Sequence, residues 1–260
     1  MADMNDNIAV LYEDADLRIH ADPASIASAS TVLVSFTGIG HGMGGIDVQR
    51  IEFSGTAHRH GGLIVVTDKN RSWGNNISSE KLVGLIEPLV RGKSVITIGN
   101  SMGGFLALLF ASLIGARLAI AFAPQFSVDA SIVPDEPRWV EYRKNIKSFR
   151  YPSLKGHLDK KRTYYTINGD TPLEEIHWKR FPAGGNLHHF VVSGIGHDVA
   201  LQLKKAGALN RVIDDALKEK LDLSSFADIP VYRLGARNFY SLARERLNAF
   251  SLTPWRRRVR

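Results

Sequence analysis

Short apolar runs alternate with amphipathic stretches along most of this chain. The runs are rich in Val, Ile and Leu, and they predict strands that are buried on both faces. They occupy residues 31–36, 63–67, 94–98, 118–122, 162–167 and 189–192. Apolar residues at helical spacing lie between them, in 82–89, 102–114, 171–180 and 198–205. This alternation predicts an α/β protein with a mostly parallel central sheet and helices on both faces.

Two less regular segments modify this picture. Residues 8–11 and 17–20 predict two short strands around a tight turn, which would extend the sheet as an antiparallel pair. Residues 126–161 contain no clear strand, and only 139–149 has an amphipathic pattern. This segment forms either a small lid over a site or a plain connection.

The composition suits a globular domain in a reducing compartment. Of the 260 residues, 44% are hydrophobic and none is cysteine, which excludes disulfides and cysteine metal sites. Residues 1–6 are acidic and polar, unlike a secretion signal. The apolar stretch 105–123 is interrupted by Ser112, Gly115 and Arg117, which indicates helix, turn and strand and not a membrane span. We therefore expect a cytoplasmic protein.

The basic charge is concentrated near the C-terminal end. The formal net charge is +7, and residues 231–260 contain eight arginines against one glutamate, so the remainder of the chain is neutral. Apolar residues at helical spacing in 239–250 predict a helix there. We expect a core over residues 1–206 and a helical, basic extension over 207–260 that packs on it. The alternative role of the extension is to bind an anionic surface or a protein partner, whereas nucleic acid is not favoured.

A glycine-rich turn follows the third of the buried strands. Its sequence, GNSMGG at residues 99–104, contains the pattern Gly-x-Ser-x-Gly. A serine on such a sharp strand-to-helix turn adopts strained backbone angles, so the residues two before and two after it must be very small. Both of these positions are occupied by glycine, Gly99 and Gly103. The context predicts a nucleophilic Ser101 and an oxyanion donor in the Met102 N–H, at the start of the following helix.

With this turn the chain resembles the α/β-hydrolase superfamily of serine esterases and lipases, over residues 8–206. The resemblance rests on the turn, the strand spacing and the order serine, acid, histidine. It implies the α/β-hydrolase fold and a histidine base in a small-residue turn after the last strand. The matching turn here is GIGH at residues 194–197, which makes His197 the candidate base. A serine hydroxyl needs such a base, and the base needs a third group to orient it.

Several carboxylates compete for that third position. The resemblance places the acid in the loop after the fifth buried strand, where Asp170 lies. Pro172 occupies the position at which the family often has its aspartate, so Glu174, Glu175 and Asp129 stay open as alternatives. We predict Asp170.

A second glycine-rich loop, residues 36–45, follows the first buried strand. The resemblance implies that this loop gives the second oxyanion donor, which by position is the N–H of Ile39 or Gly38. The same loop contains a Gly-x-Gly-x-x-Gly pattern at 40–45, and Asp68 ends the next strand. That combination is typical of a dinucleotide-binding fold and defines a competing hypothesis.

Three further side chains are candidate substrate-binding residues. His41 and Met43 lie where a substrate would enter, and Trp73 stands among Arg and Asn residues that could grip a polar or sugar-bearing substrate. The His-Arg-His run at 58–60 lacks the third ligand and spacing of a metal site, so we expect a solvated loop there and no metal.

The preferred hypothesis is a serine hydrolase that acts on a carboxylic ester or related acyl substrate, without a cofactor. Ser101, His197 and Asp170 would form its triad. The alternatives are an acyltransferase on the same residues, a non-catalytic docking module and an NAD(P)-binding protein. The sequence does not predict an oligomeric state.

Overall fold

A nine-stranded sheet runs through the part of the chain that the computed structural model describes, which is residues 8–40, 51–182 and 184–234. In chain order its strands are β1 (Ala9–Glu13), β2 (Leu17–Ala21), β3 (Thr31–Phe36), β4 (Gly62–Asp68), β5 (Ser94–Asn100), β6 (Leu118–Phe122), β7 (Thr163–Gly169), β8 (Leu187–Val192) and β9 (Val231–Leu234). Across the sheet they follow the order β1-β2-β4-β3-β5-β6-β7-β8-β9.

The six central strands, β3 to β8, are parallel to their neighbours, and the three outer strands β1, β2 and β9 are antiparallel. The central strands are almost completely buried, because helices cover both faces of a parallel sheet. This confirms the predicted fold class.

Eight helices connect or flank the described strands. They are α1 (Pro23–Ser28), α2 (Ser54–His60), α3 (Ser79–Val90), α4 (Met102–Phe110), α5 (Val140–Arg143), α6 (Pro172–Trp178), α7 (Val199–Lys205) and α8 (Leu209–Leu217). Helix α4 is buried along its whole length, which explains its apolar sequence. It contacts β3, β5 and β6 and lies directly under the centre of the sheet.

Two apolar layers hold the sheet between the helices. On one face, buried residues of α1, α3 and α4 pack together with Phe126, Tyr151 and Leu154 from the β6–β7 connection. On the other face, buried residues of α2, α7 and α8 pack together with Phe226. The layers place the ends of β5, β7 and β8 at one edge of the sheet, where a site can form.

The strand order differs from that of the classic dinucleotide-binding fold. In that fold two halves of the parallel sheet are related in the order 3-2-1-4-5-6. Here the parallel strands follow β4-β3-β5-β6-β7-β8, so the strand after β3 lies on one side and all later strands lie on the other. Within the described residues, no helix has both the length and the apolar sequence needed to span a membrane.

Residues 126–161 are an integral part of the core. They contain the short helix α5, and Val128, Val133 and Leu154 are buried in them. Arg138 and Trp139, just before α5, contact Glu174 and His197, which follow β7 and β8.

Two expectations about helices and loops differ from the structure. The extension over 207–260 is not entirely helical, because β9 pairs with β8 as an edge strand. The run at 58–60 is not a solvated loop: it ends α2, and Arg59 and His60 both bond to Asp214 on α8, at 2.9 and 2.8 Å. His41, Met43 and the basic segment from residue 235 onward lie outside the described residues.

Candidate active site

Ser101 occupies the sharp turn between the end of β5 and the start of α4. Its backbone angles are φ 58° and ψ −122°, a strained combination for a residue with a side chain. The turn is held by a hydrogen bond from the Ser101 N–H to the Phe122 carbonyl of β6, at 2.8 Å. The strain therefore has a structural cause, and it directs the hydroxyl away from the sheet edge.

Both flanking glycines are required by direct backbone contact. A Cβ at Gly99 would lie 2.1 Å from the Gly103 carbonyl oxygen, and a Cβ at Gly103 would lie 2.1 Å from the Phe36 carbonyl oxygen. No side chain fits at such distances, because neither neighbour is a flexible group. The two glycines let β5 and α4 meet at the angle that the serine turn needs.

The structure brings Ser101, His197 and Glu174 together in one chain of contacts. His197 Nε2 lies 2.8 Å from Ser101 Oγ, and His197 Nδ1 lies 3.1 Å from each carboxylate oxygen of Glu174. The carboxylate can only accept, so Nδ1 carries the proton and Nε2 accepts from the serine hydroxyl. This is the arrangement in which a histidine can remove a proton from a serine.

Glu174 therefore takes the place that the sequence analysis assigned to Asp170. Asp170 lies in the predicted loop after β7, but its Oδ1 accepts from the backbone N–H of Gly194, at 2.8 Å. Its own N–H donates to the Ile195 carbonyl, at 2.9 Å. Asp170 thus holds the loop that carries His197, and the acid comes from the first turn of α6. The prediction of Asp170 as the acid does not match this geometry.

The other two carboxylates considered for the triad lie elsewhere. Asp129 Oδ1 accepts from both the N–H and the hydroxyl of Ser131, at 2.9 and 2.8 Å, and so caps a local turn. Glu175 is the neighbour of Glu174 on α6, in the same first turn but only half-buried.

A cluster of charges surrounds the Glu174 carboxylate. Arg138 donates to Glu174 Oε1 at 2.6 Å and to Glu136 Oε2 at 2.7 Å. His177 Nε2 lies 2.7 Å from the same Glu136 oxygen, and its Nδ1 accepts from the Phe126 N–H at 3.3 Å. Both carboxylates and His177 are almost fully buried, and Arg138 links them to the segment before α5. None of these partners was identified from the sequence.

These contacts determine the charge states. Burial raises the pKa of the Glu174 carboxyl, but the hydrogen bond from His197 and the charges of His197 and Arg138 outweigh it, and the net pKa is lowered. The Glu136 pKa is lowered for the same kind of reason, by Arg138 and His177 against burial. Burial lowers the pKa of His177. Glu174 is therefore ionised at neutral pH.

The predicted oxyanion donors come from two different segments of the chain, and Ile39 lines the same cavity as Ser101. Met102 begins α4, so its N–H has no partner within the helix, and Ile39 lies in the loop after β3. The N–H of Gly38 instead donates to Glu52 Oε1, at 3.3 Å. Burial raises the pKa of Glu52 to about 7. Glu52 was not identified from the sequence.

A second contact that the sequence analysis did not predict involves the serine hydroxyl itself. Gln125 Nε2 lies 3.1 Å from Ser101 Oγ, and the indole N–H of Trp73 donates to Gln125 Oε1 at 3.0 Å. Both side chains are fully buried. Trp73, predicted to bind substrate, therefore lies behind the serine turn with its ring in the core.

A cavity of about 900 Å³ opens beside Ser101 and His197. Its wall includes Trp139, whose ring centroid lies 5.3 Å from that of His197. The residues around its remaining wall combine apolar and polar side chains, among them Ile51, Glu52, Phe53, Arg59, Asn100, Leu201, Lys204, Leu209 and Asn210. The part of the chain described by the structure contains no group of three or more His, Asp or Glu side chains arranged to hold a metal ion.

Strand order, the serine turn and the mostly parallel sheet together define an α/β-hydrolase fold, as the resemblance implied. No protein-family model and no curated protein sequence matches the chain. Several solved structures, in contrast, are similar to it in fold. The capsule O-acetyltransferase of Neisseria meningitidis serogroup A is 14% identical with a TM-score of 0.55, over 80% of this chain and 93% of that one. An esterase of Pyrococcus furiosus is 13% identical with a TM-score of 0.50, over 83% and 91%.

The Glycosylation Associate Protein complex of Streptococcus agalactiae is also similar, with 12% identity and a TM-score of 0.51, over 81% of this chain and 47% of that one. At these identities the similarity establishes the fold, while the chemistry has to be argued from the site.

Proposed function

We propose that this chain is a serine enzyme that forms an acyl-enzyme on Ser101 from a carboxylic ester or related acyl donor. The observation that carries the proposal is the hydrogen-bond chain from Ser101 Oγ through His197 to Glu174, at 2.8 and 3.1 Å. It begins on a serine with strained backbone angles. Such strain is destabilising and persists where the side chain must be presented to a substrate.

In the first half of the reaction, Ser101 Oγ attacks the carbonyl carbon and its proton moves to His197 Nε2. The Met102 and Ile39 N–H groups stabilise the oxyanion. The bond to the leaving alkoxide then breaks, and the alkoxide takes the proton from Nε2. Glu174 stabilises the imidazolium throughout, because it is ionised and accepts the Nδ1 proton.

In the second half, water or a second hydroxyl group attacks the acyl carbon and gives its proton to His197 Nε2. The bond from carbon to Ser101 Oγ breaks, and Oγ takes the proton back. Attack by water makes the enzyme a hydrolase, and attack by an alcohol makes it an acyltransferase. The residues that act on the acyl group are the same in both cases.

Transfer to a hydroxyl of a sugar-bearing acceptor is the second candidate function. The cavity, at about 900 Å³, lies at the upper end of ordinary ligand sites and has room for more than an acyl group. Trp139 offers a ring face beside His197, and Asn100, Arg59 and Asn210 add polar groups along the wall. The fold similarity to a capsule O-acetyltransferase supports this alternative.

The docking-module alternative has less support. A module that only binds partners has no need of a strained serine whose proton is aligned on a histidine and a buried carboxylate.

The experiment that tests the proposal is labelling with a fluorophosphonate probe, which reacts only with an activated serine. We expect rapid labelling of the parent chain and none of Ser101→Ala or His197→Ala. Thermal unfolding of each variant by circular dichroism serves as the folding control. A well-folded parent that does not label, or a Ser101→Ala variant that does, contradicts the proposal.

A partition assay then separates the two candidate functions. The parent is incubated with p-nitrophenyl acetate, with and without a soluble oligosaccharide, and acetate and acetylated sugar are both measured. Acetyl groups found on the sugar at the expense of free acetate indicate a transferase. Release of acetate alone, unchanged by the sugar, indicates a hydrolase.

A further inference from the structure

We propose that Gln125 is a third hydrogen-bond donor of the reaction, acting on Ser101 Oγ itself, and that Trp73 positions it. This inference rests on the proposed function, because it concerns the same serine. It differs from the backbone oxyanion donors, which face the carbonyl oxygen of the substrate. Gln125 touches the attacking atom.

The orientation of the Gln125 amide follows from its two partners. The indole N–H of Trp73 can only donate, so the amide oxygen must face it, at 3.0 Å. The amide nitrogen then faces Ser101 Oγ, at 3.1 Å. An inverted amide would place an N–H against the indole N–H, at a site where neither side chain is exposed to solvent. The amide therefore donates to the serine oxygen.

This donor also fixes the direction of the serine proton. Ser101 Oγ carries one proton and two lone pairs. With one lone pair occupied by Gln125, the proton is directed to His197 Nε2 at 2.8 Å, and the other lone pair remains for attack. When the proton leaves, the developing charge on Oγ strengthens the bond from the amide, because charge-assisted hydrogen bonds are the stronger kind.

The same bond acts on both half-reactions. During acylation, Oγ gains negative character as its proton moves to His197. During deacylation, Oγ is the leaving atom and again carries charge until His197 returns the proton. A donor fixed on Oγ therefore lowers both barriers.

The two segments that form this contact have strained backbone angles, and both side chains are buried. Ala123, two residues before Gln125, has a φ of 43°, and Trp73 has a φ of 50°. Both values are in the left-handed region, which residues other than glycine rarely adopt. The loop that carries Trp73 is held by the buried Asp68 carboxylate, which accepts from the Ser72 N–H, the Ser72 hydroxyl and the Gly74 N–H, each at 2.9 Å. Two strained segments thus converge on one amide.

The test compares Gln125→Leu, Trp73→Phe and the double variant in fluorophosphonate labelling rates. Gln125→Leu loses a charge-assisted bond, so we expect labelling to slow by about 10- to 100-fold. Trp73→Phe frees the amide to rotate, and we expect a loss of about two- to tenfold. The double variant should label at the rate of Gln125→Leu, because Trp73 acts only through Gln125.

Stability measurements distinguish this role from a structural one. Gln125→Leu leaves the Trp73 N–H buried without a partner, whereas the double variant removes both groups. The double variant should therefore be more stable than Gln125→Leu, while its labelling rate stays as low. Thr97→Val is the matched control: it removes another fully buried hydrogen bond, to the Ala107 carbonyl, and should leave labelling unchanged.

Two results overturn the inference. One is a Gln125→Leu variant that labels within about twofold of the parent, since this is less than one hydrogen bond accounts for. The other is an effect of Trp73→Phe that does not depend on Gln125. In that case the double variant labels more slowly than Gln125→Leu, by the same factor by which Trp73→Phe slows the parent. Failure of the parent to label is a different outcome, because it removes the proposed function together with the inference.

Discussion

The Glu174→Gln substitution removes one charge from the chain of contacts behind Ser101 and leaves its shape almost unchanged. The carboxylate lies 3.1 Å from His197 Nδ1 and is 1% exposed. With an effective dielectric constant of about 20, the attraction between this carboxylate and an imidazolium is about 5 kcal/mol. The amide oxygen of glutamine retains a hydrogen bond worth about 1 kcal/mol.

The net loss of about 4 kcal/mol in the transition state corresponds to labelling that is about 10³-fold slower. Loss of a triad acid in a well-studied serine protease has an effect of similar size, about 10⁴-fold. The Arg138 guanidinium, 2.6 Å from Glu174 Oε1, would then lose one of its two carboxylate partners, and its less compensated positive charge disfavours an imidazolium at His197, which adds to the effect. We therefore expect a loss of about 10³-fold or more.

The assay is the second-order rate constant for fluorophosphonate labelling, measured beside Asp170→Asn as the matched control. That control makes the same change of charge four residues earlier, on a carboxylate that holds the Gly194 N–H. We expect it to label within about tenfold of the parent, because the asparagine amide oxygen still accepts from the Gly194 N–H and that bond loses only its charge assistance. An Asp170→Asn variant as slow as Glu174→Gln, or a Glu174→Gln variant as fast as the parent, would refute the reasoning.

Three other substitutions give further expectations. Alanine at Gly99 or Gly103 places a Cβ about 2.1 Å from backbone oxygen, so we expect a loss of about 3 kcal/mol or more in urea unfolding; parental stability would contradict this. Arg138→Met removes a charge that lowers the Glu174 pKa, so the Glu174–His197 pair should take up a proton at higher pH and the acid limb of the labelling rate should move with it; an unmoved limb argues against the contact. The Glu52 pKa is raised from 4.5 to about 7, so the native state binds a proton that the unfolded state does not, and stability falls as pH rises through this window. Glu52→Gln should abolish that fall, of at most about 3 kcal/mol, in urea titrations at pH 4.5 and 8; a fall of the same size in both proteins would contradict it.

The strands and the serine turn were accessible from the sequence, because local patterns encode them. The runs at 31–36 and 118–122 coincide with β3 and β6, and the turn is marked by glycines whose absent side chains would clash with backbone. Strand β9 was not predicted, because it has only four residues, lies half-exposed at an edge and is held by pairing with β8. No local signal distinguishes such a strand from a loop.

The identity of the carboxylate beside His197 could not be predicted from local sequence alone. Asp170 and Glu174 follow the same strand, and either could serve a histidine in principle. Glu174 contacts His197 because α6 begins at Pro172 and its first turn faces His197, while Asp170 is engaged by the backbone of the histidine loop. The direction of a helix depends on what it packs against, which one segment of sequence does not show.

The groups that the sequence analysis missed all make contacts across long separations. Gln125 lies 24 residues from Ser101, and Arg138 lies 36 residues from Glu174. Neither is part of a recognisable motif, and each becomes significant only when the β6–β7 connection folds over the sheet edge. Trp73 stands out in the sequence as an aromatic residue in a polar loop, but its hydrogen bond is made to Gln125, which follows two strands later.

The central claim is that an acyl group is carried by Ser101. The measurement that tests it most directly is peptide mass spectrometry of the parent chain, mixed with p-nitrophenyl acetate and quenched in acid before the acyl-enzyme turns over. The account predicts one added acetyl group on the peptide that contains Ser101, and none on that peptide in Ser101→Ala or His197→Ala. Two results together would contradict it. The acetyl group would be found on another residue of the parent chain, and the Ser101→Ala variant would retain full activity.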